Sequence, residues 1–461
     1  MNSLSGASPT RRLLGLAWPV LVGQWAIMAF GVIDTVMSGH ASPTDLAAMS
    51  LANSIFSSVA FSLIGVVLAL NPIFAQFFGA DRLAELGQHY FQGLWLALGL
   101  AAVGDIALLF PGIWLDMSQA EPEVRRRAAQ YLATLAFALP ATLLFRTVYA
   151  LATAVSRPKW LMGINLSGVV LKLPLNYIFV FGKWGFPEMG APGCALATTF
   201  VMWLSCLVAF ILVRRRVFHP RLAIRFAWPS PKVLGEQLRL GVPNGISYFI
   251  EVTSFTLMTI FVARLGAHAT GGHQIAVNLT GLCYSVPLAL AVATGTLAAQ
   301  ELGAGRPEAA RRMIRRGLVL ATLLALVLSS VILILRTTIV SWYTSDPGVA
   351  VVAVTLVGYL TAFHTADAIQ TVAGFALRAY KRMVAPSVIY AVCLGALGLG
   401  GGYALAFWPL DGWGMRGASG LWLGATLSLW IATAALLFYL ARVARLPRAA
   451  ASPAGNALDS I

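Results

Sequence analysis

Long apolar runs separated by short polar segments pattern this chain almost from end to end. Runs near 20 residues recur from Leu13 into the low 440s, the length a helix needs to cross a bilayer. They predict helices over 13–36, 46–78, 91–112, 128–150, 160–182, 190–213, 238–264, 275–300, 317–341, 350–375, 384–408 and 418–441. The second run is longer than one crossing requires, so it is expected to tilt or to extend beyond the hydrocarbon. A membrane β-barrel would show short segments alternating in period two, a pattern these continuous runs exclude. The fold class is therefore an all-α polytopic membrane protein with twelve transmembrane helices.

Composition agrees. Of 461 residues, 59% are hydrophobic and 11% charged, less than half the charge of an ordinary soluble domain. The four cysteines, Cys194, Cys206, Cys283 and Cys393, lie within apolar segments without metal-ligand spacing and are expected to pack rather than to bridge or bind metal. A net charge of +15 raises the question of nucleic acid, and its placement answers with a membrane. If the termini and alternate loops are grouped on one side, that side holds 23 of the 32 Arg and Lys residues and the opposite side 7; Arg146 and Lys172 fall within spans. The positive-inside rule then puts both termini in the cytoplasm. The stretches RRR at 214–216 and RRMIRR at 311–316 are where topology alone wants charge, so no nucleic-acid partner is expected. Arg11 and Arg12 lead straight into a long apolar run, without the short core and cleavage site of a signal peptide.

The pattern also repeats. AQFFGADRLAELG, starting at Ala75, answers AQELGAGRPEAAR, starting at Ala299, at an offset of 224. Pro19 and Pro243 differ by the same 224, Asn53 and Asn278 by 225, GAPG at 190–193 and GASG at 417–420 by 227, and Tyr131 and Tyr359 by 228. Their order and near-constant spacing predict two six-helix bundles related by an internal repeat. The expected organisation is an N-terminal cytoplasmic segment 1–12, a first lobe 13–213, a basic cytoplasmic linker 214–237, a second lobe 238–441 and a disordered cytoplasmic tail 442–461. Parallel repeats of this kind suit a central cavity that opens alternately to either side.

Ionisable residues inside apolar spans mark functional sites, because burying a charge in lipid is costly. Glu251, Asp367, Asp34, Asp105, Arg146 and Lys172 are such residues. Glu251 and Asp367 fall in the seventh and tenth spans. If the fold brings them together, two carboxylates can hold Na⁺, or their repulsion can leave one of them carrying a proton. The competing view is that each acid pairs with a base or caps a helix. Asp34 either lines a cavity in the first lobe, where it would attract a cation, or sits at a helix end. Asp105, Arg146 and Lys172 can balance one another. Tyr284 can hydrogen-bond beside the acids; Gln24, Gln274 and Asn176 can contact cargo or simply join helices. Pro19, Pro72, Pro140, Pro174, Pro243 and Pro287 interrupt long spans and bend them or free carbonyls.

With these residues in view, the chain resembles the MATE (multidrug and toxic compound extrusion) family, in its NorM-like branch, through about residue 441. WPVLVGQWAIMAFGVIDTVMSG, AVNLTGLCYSVPLALAVATGTLAAQELGAG, TSDPGV at 344–349, PNGISYFIE around Glu251 and the context of Asp367 carry the resemblance together. It implies cation-driven antiport of amphiphilic, often cationic compounds through a cleft between two bundles. It implies that Glu251 and Asp367 form the coupling-ion pair with Tyr284 beside them, and that Asp34 is the first-lobe acid of drug binding or coupling. Asp346 matches one member of an outer-cavity acidic pair, although its neighbour here is Ser345. Gln24 and Gln274 match cavity positions.

The expectation is a non-enzymatic, multi-pass multidrug antiporter of the bacterial inner membrane. It needs no cofactor beyond a coupling ion, Na⁺ in preference to H⁺, held by Glu251 and Asp367. Its expected partners are amphiphilic or cationic small molecules and membrane lipid, with no obligatory protein partner. The rival is a flippase for a lipid-linked precursor, which a strongly basic cleft would favour. A membrane enzyme would need a clustered nucleophile and base or a His/Asp metal set, which six scattered histidines do not provide.

Overall fold

A computed structural model describes residues 8–118, 120–222, 224–408 and 417–445. The expected disorder of the tail falls almost wholly outside these residues, as does Arg416 among the counted basic residues. The described chain forms the helices α1 (Pro9–Ala41), α2 (Pro43–Leu68), α3 (Leu70–Gly79), α4 (Leu83–Leu109), α5 (Gly112–Met117), α6 (Pro122–Ala136), α7 (Ala138–Ala154), α8 (Lys159–Val180) and α9 (Ala191–Arg214). It continues through α10 (Pro231–Ala263), α11 (Ala267–Gly303), α12 (Pro307–Ile334), α13 (Arg336–Tyr343), α14 (Pro347–Ala379), α15 (Val384–Tyr390), a π-helical segment Ala391–Gly401, α16 (Gly402–Phe407) and α17 (Ala418–Arg445). Among the described residues eleven helical stretches are long and apolar enough to cross a membrane, or up to twelve when the bent pair α6–α7 counts as one span. The chain is a multi-pass helical membrane protein.

Proline explains where two spans break. The predicted 46–78 helix is interrupted at Ala69 and the predicted 128–150 helix at Phe137, where α6 and α7 meet at 41°. Pro72 and Pro140 each sit three residues beyond a break. A proline there removes a donor and its ring clashes with the carbonyl four residues back. Pro19, Pro174, Pro243 and Pro287 stay inside continuous helices. The span predicted at 384–408 has a π-helical middle over AVCLGALGLGG, where four glycines remove the side chains that would enforce tighter winding.

Helix starts follow the local chemistry. Ser42 caps α2 by accepting from the Asp45 backbone N–H at 3.0 Å, and its hydroxyl donates to the Asp45 carboxylate at 2.6 Å. That carboxylate, 3% exposed, also accepts from Arg127 at 2.6 and 2.7 Å and from the Ala191 N–H at 2.8 Å, tying α2 to α6 and α9. Gly190 must be glycine: its φ is +59°, and a Cβ would meet the Asp45 carboxylate. The corresponding glycine of GASG, Gly417, has φ +75° and precedes α17.

Contacts between the first and second halves of the chain centre on α2–α10 and α3–α11. Gly241 and Gly245, four apart on α10, let α2 approach so closely that a Cβ at 245 would stand 2.8 Å from the Ser62 carbonyl oxygen. Asn244 between them donates to the Gly65 carbonyl. At the ends of α3 and α11 the backbones cross at Gly79 and Gly303. A Cβ on Gly79 would lie 2.7 Å from the Gln300 carbonyl carbon, and one on Gly303 2.7 Å from that of Gln76. Beside the crossing, Gln76 donates to the Ala379 carbonyl and Gln300 to the Ala154 carbonyl, each at 2.7 Å.

The basic stretch 214–237 is more ordered than a linker. Its last seven residues, 231–237, open α10. Phe218 and Leu222 are buried, and α4 holds the segment: Gln92 donates to Trp228 O and accepts from Ser230 N, both at 2.8 Å, while Trp95 donates to Ala227 O at 3.0 Å.

Candidate functional site

Glu251 lies midway along α10 and Asp367 midway along α14, and both open onto one cavity of about 540 Å³. Phe255, Met258, Phe363, Leu399 and Leu429 are among its apolar lining; Ser254, Gln370 and Ser428 add polar atoms, and among the described residues no basic side chain lines it. Glu251 also faces a second cavity of about 280 Å³ with Tyr248, Tyr284, Arg378 and Tyr390. Neither a hydrogen bond nor an ion pair reaches the Glu251 carboxylate among the described residues. Arg378 acts on it electrostatically across the second cavity and is itself held by Tyr248, whose hydroxyl lies 3.4 Å away, and by the Phe375 face at 4.1 Å.

Asp367 is more constrained. It is 5% exposed, and the Gln370 amide donates to it at 2.9 Å. The Tyr390 hydroxyl donates in turn to the Gln370 carbonyl oxygen. Gly374 leaves room for this relay, since a Cβ there would stand 3.1 Å from the Tyr390 oxygen. The site therefore presents one oriented carboxylate and one unpartnered carboxylate in an apolar chamber. Such a pair can take up a desolvated monovalent cation or a proton. Among the described residues no group of three or more His, Cys, Asp or Glu is placed to hold a metal ion.

The first-half acid is arranged differently. Asp34 on α1 pairs with the Lys172 ammonium of α8 at 3.0 Å and accepts from the Asn176 amide at 2.8 Å. Lys172 is 0% exposed, donates to the Thr198 hydroxyl and sits 5.2 Å from the centre of the Phe30 ring. Lys172 thus balances Asp34 rather than Asp105. One oxygen of Asp105 is buried without a partner, and Arg146 stacks over Tyr149 at 5.7 Å.

Asp346 caps α14, accepting from the Val349 N–H at 2.7 Å, and stands 3.8 Å from His268 on an exposed surface. Gln274 is exposed and its amide donates to Asn278 at 3.4 Å. Gln24 is half-buried on α1. The fold brings Glu251, Asp367 and Tyr284 around adjoining cavities, and Asp34 and Asn176 into one cluster. It leaves Asp346, Gln24 and Gln274 outside both.

Sequence reasoning missed Tyr248, Gln370, Arg378, Tyr390 and the pairing of Lys172. Helical spacing held a signal for three of them. Tyr248 lies three residues before Glu251, while Gln370 and Arg378 lie three and eleven after Asp367, on one helical face. Arg378 lies three residues beyond the predicted span 350–375; it belongs to the last turn of α14 and turns inward.

A multi-pass helical membrane protein with two acids facing one cavity is the class that this fold and site define. The MatE family model matches residues 19–178 and 243–404, and the chain belongs to the MATE family of transporters, in its NorM-like branch. It is 39% identical over 398 residues to a protein of Aromatoleum aromaticum named probable multidrug resistance protein NorM, covering 86% of each chain. It is 33% identical over 444 residues to multidrug resistance protein PmpM of Pseudomonas aeruginosa, covering 94% of this chain and 92% of that one. In fold it is similar to the eukaryotic MATE transporter AtDTX14, with a TM-score of 0.84 at 22% identity over 95% of this chain and 97% of that one. It is likewise similar to the Vibrio cholerae MATE transporter VcmN in its bent form, with a TM-score of 0.85 at 18% identity over 96% and 98%. The family is one of transporters, not enzymes.

Proposed function

We propose that this protein exports amphiphilic, often cationic compounds across the bacterial inner membrane by cation-coupled alternating access, with both termini in the cytoplasm. Glu251 and Asp367 bind the coupling ion, and Na⁺ is favoured over H⁺. The names of the relatives support multidrug export. The two family-model matches, beginning 224 residues apart at 19 and 243, support two repeated six-helix bundles.

The observation that carries the reading is the shared cavity of Glu251 and Asp367, lined among the described residues by two acids and no base. A chamber of that charge suits a cation and disfavours the anionic headgroup of a lipid-linked precursor. To drive the cycle the ion must bind the two states differently, since binding both equally would shift nothing. At about 100 mV one inward charge contributes about 2.3 kcal/mol.

The test is reconstitution into vesicles with independently imposed Na⁺ and proton gradients, following a fluorescent organic cation. Glu251→Gln and Asp367→Asn should each abolish gradient-driven transport in correctly inserted protein. Normal transport by both variants would remove the coupling site, and transport driven only by a proton gradient would reverse the ion preference.

A further inference from the structure

We propose that Lys172 is a resident cation: its ammonium permanently occupies the first-half acid Asp34, so that coupling ion and cationic cargo are handled by the second half alone. This rests on the reading of Glu251 and Asp367 given above and deepens it.

Three observations converge. The Asp34 carboxylate is already filled, with Lys172 at 3.0 Å on one oxygen and Asn176 donating at 2.8 Å to the other. The lysine is fully enclosed and held in place by Thr198 and the Phe30 face, so it cannot swing aside as a surface lysine can. A primary ammonium at this distance supplies the positive charge that a bound monovalent cation would otherwise supply, and adds hydrogen bonds that such an ion lacks. Asp34 and Lys172 together carry no net charge, which leaves nothing to attract a second cation.

The corresponding place in the second half is built the opposite way. Adding the repeat offsets of 224 to 228 to Lys172 lands on 396–400, inside the π-helical segment. There the chain has no basic residue, and Gly398 lines the cavity that holds Glu251 and Asp367. Where the first half inserts an ammonium, the second leaves a chamber of about 540 Å³. A duplicated scaffold thus carries one closed acid site and one open one.

The test counts ions bound by purified full-length protein, without transport, by equilibrium dialysis with radioactive Na⁺ and in parallel by potentiometric proton uptake. Wild type should bind one coupling ion, lost in the Glu251→Gln/Asp367→Asn variant. Lys172→Gln frees the Asp34 carboxylate and should add a second ion, a gain that a merely structural lysine would not produce. The neutral pair Asp34→Asn/Lys172→Gln should return the count to one, and keeps the proposal testable if Lys172→Gln does not fold. The proposal is overturned if Lys172→Gln folds and still binds one ion, or if the neutral pair binds one ion fewer than wild type. A wild-type ion that survives in the Glu251→Gln/Asp367→Asn variant would instead overturn the second-half coupling site, so the two failures are distinguishable.

Discussion

Removing the two glutamine amides that bridge the halves should open the end of the molecule at which α3 and α11 finish, the end assigned to the cytoplasm. Gln76 of the first half donates to the Ala379 carbonyl of the second, and Gln300 of the second donates to the Ala154 carbonyl of the first, both at 2.7 Å. Gln300 also donates to the Ser156 hydroxyl at 2.9 Å. The glutamines differ by 224 and their acceptors by 225, so each half closes the other by the same bond. Three bonds at a net value of about 1 kcal/mol each give about 3 kcal/mol. That shifts the closed-to-open ratio roughly a hundredfold, enough to populate a state otherwise rare. The double variant Gln76→Ala/Gln300→Ala can be followed by electron–electron distance measurements between spin labels at Glu85 and Glu308, in the first turns of α4 and α12. A new population at longer distance is expected. A distribution superimposable on wild type would show that the glycine crossing closes this end without the amides.

Three further outcomes follow from single sites. Gly374→Ala places a Cβ 3.1 Å from the Tyr390 hydroxyl, so the tyrosine must withdraw by a few tenths of an ångström and loosen its hold on Gln370. Partial loss of one hydrogen bond, about 0.5–1 kcal/mol, should weaken coupling-ion affinity roughly two- to fivefold; unchanged ion dependence of transport would show that the relay does not orient Asp367. Asp105→Asn should transport like wild type, because the buried oxygen of this acid has no partner to lose, and abolished transport would give Asp105 a role that its surroundings do not suggest. His219, in the segment before α10, packs against Phe78 with its ring centre 5.6 Å away, and burial holds its imidazole below the usual range. The fold therefore prefers the neutral ring. Its contribution is fully present above the unfolded value near pH 6.5 and is lost as pH falls from there toward the folded value. Limited proteolysis of 214–230 should quicken on acidification, and a His219→Phe variant should lose that pH dependence.

The architecture was legible because lipid imposes a strong rule: every crossing needs a long apolar run, and every loop betrays itself by charge. The breaks at Ala69 and Phe137 were readable only as prolines of unassigned consequence, since Pro19 and Pro243 lie in helices that stay continuous. The acids were visible as charges out of place, but their partners were not. Lys172 stands 138 residues from Asp34 and pairs with it only through the packing of α1 on α8. Arg378 was misread because it lies near the end of an apolar run, where charge ordinarily means loop. Its three-turn spacing from Asp367 places it inside, and only periodicity counted across the predicted boundary would have shown that. Asp346 and Gln274 are solvent-exposed, and a match in sequence does not fix which way a side chain near a helix end faces.

Charge bookkeeping across the two halves leads to a last prediction about energetics. If Lys172 neutralises Asp34, one monovalent ion enters at the second half in each cycle. Its inward passage down about 100 mV supplies about 2.3 kcal/mol, and outward passage of a monovalent cationic substrate costs the same amount. The exchange of one for one is then electroneutral, and only concentration gradients drive it. A tenfold ion gradient is about 1.4 kcal/mol and can sustain about a tenfold substrate gradient. An electrically neutral substrate opposes no potential, so its export gains the full electrical contribution. In vesicles with a potential clamped by potassium and valinomycin, export of a monovalent cation should be flat with voltage, while export of a neutral amphiphile should rise steeply. Voltage-driven export of the monovalent cation would mean that two or more ions enter per cycle. If the ion is Na⁺, the second would need a site outside the Glu251–Asp367 pair, and an Asp34 freed from Lys172 is the first candidate.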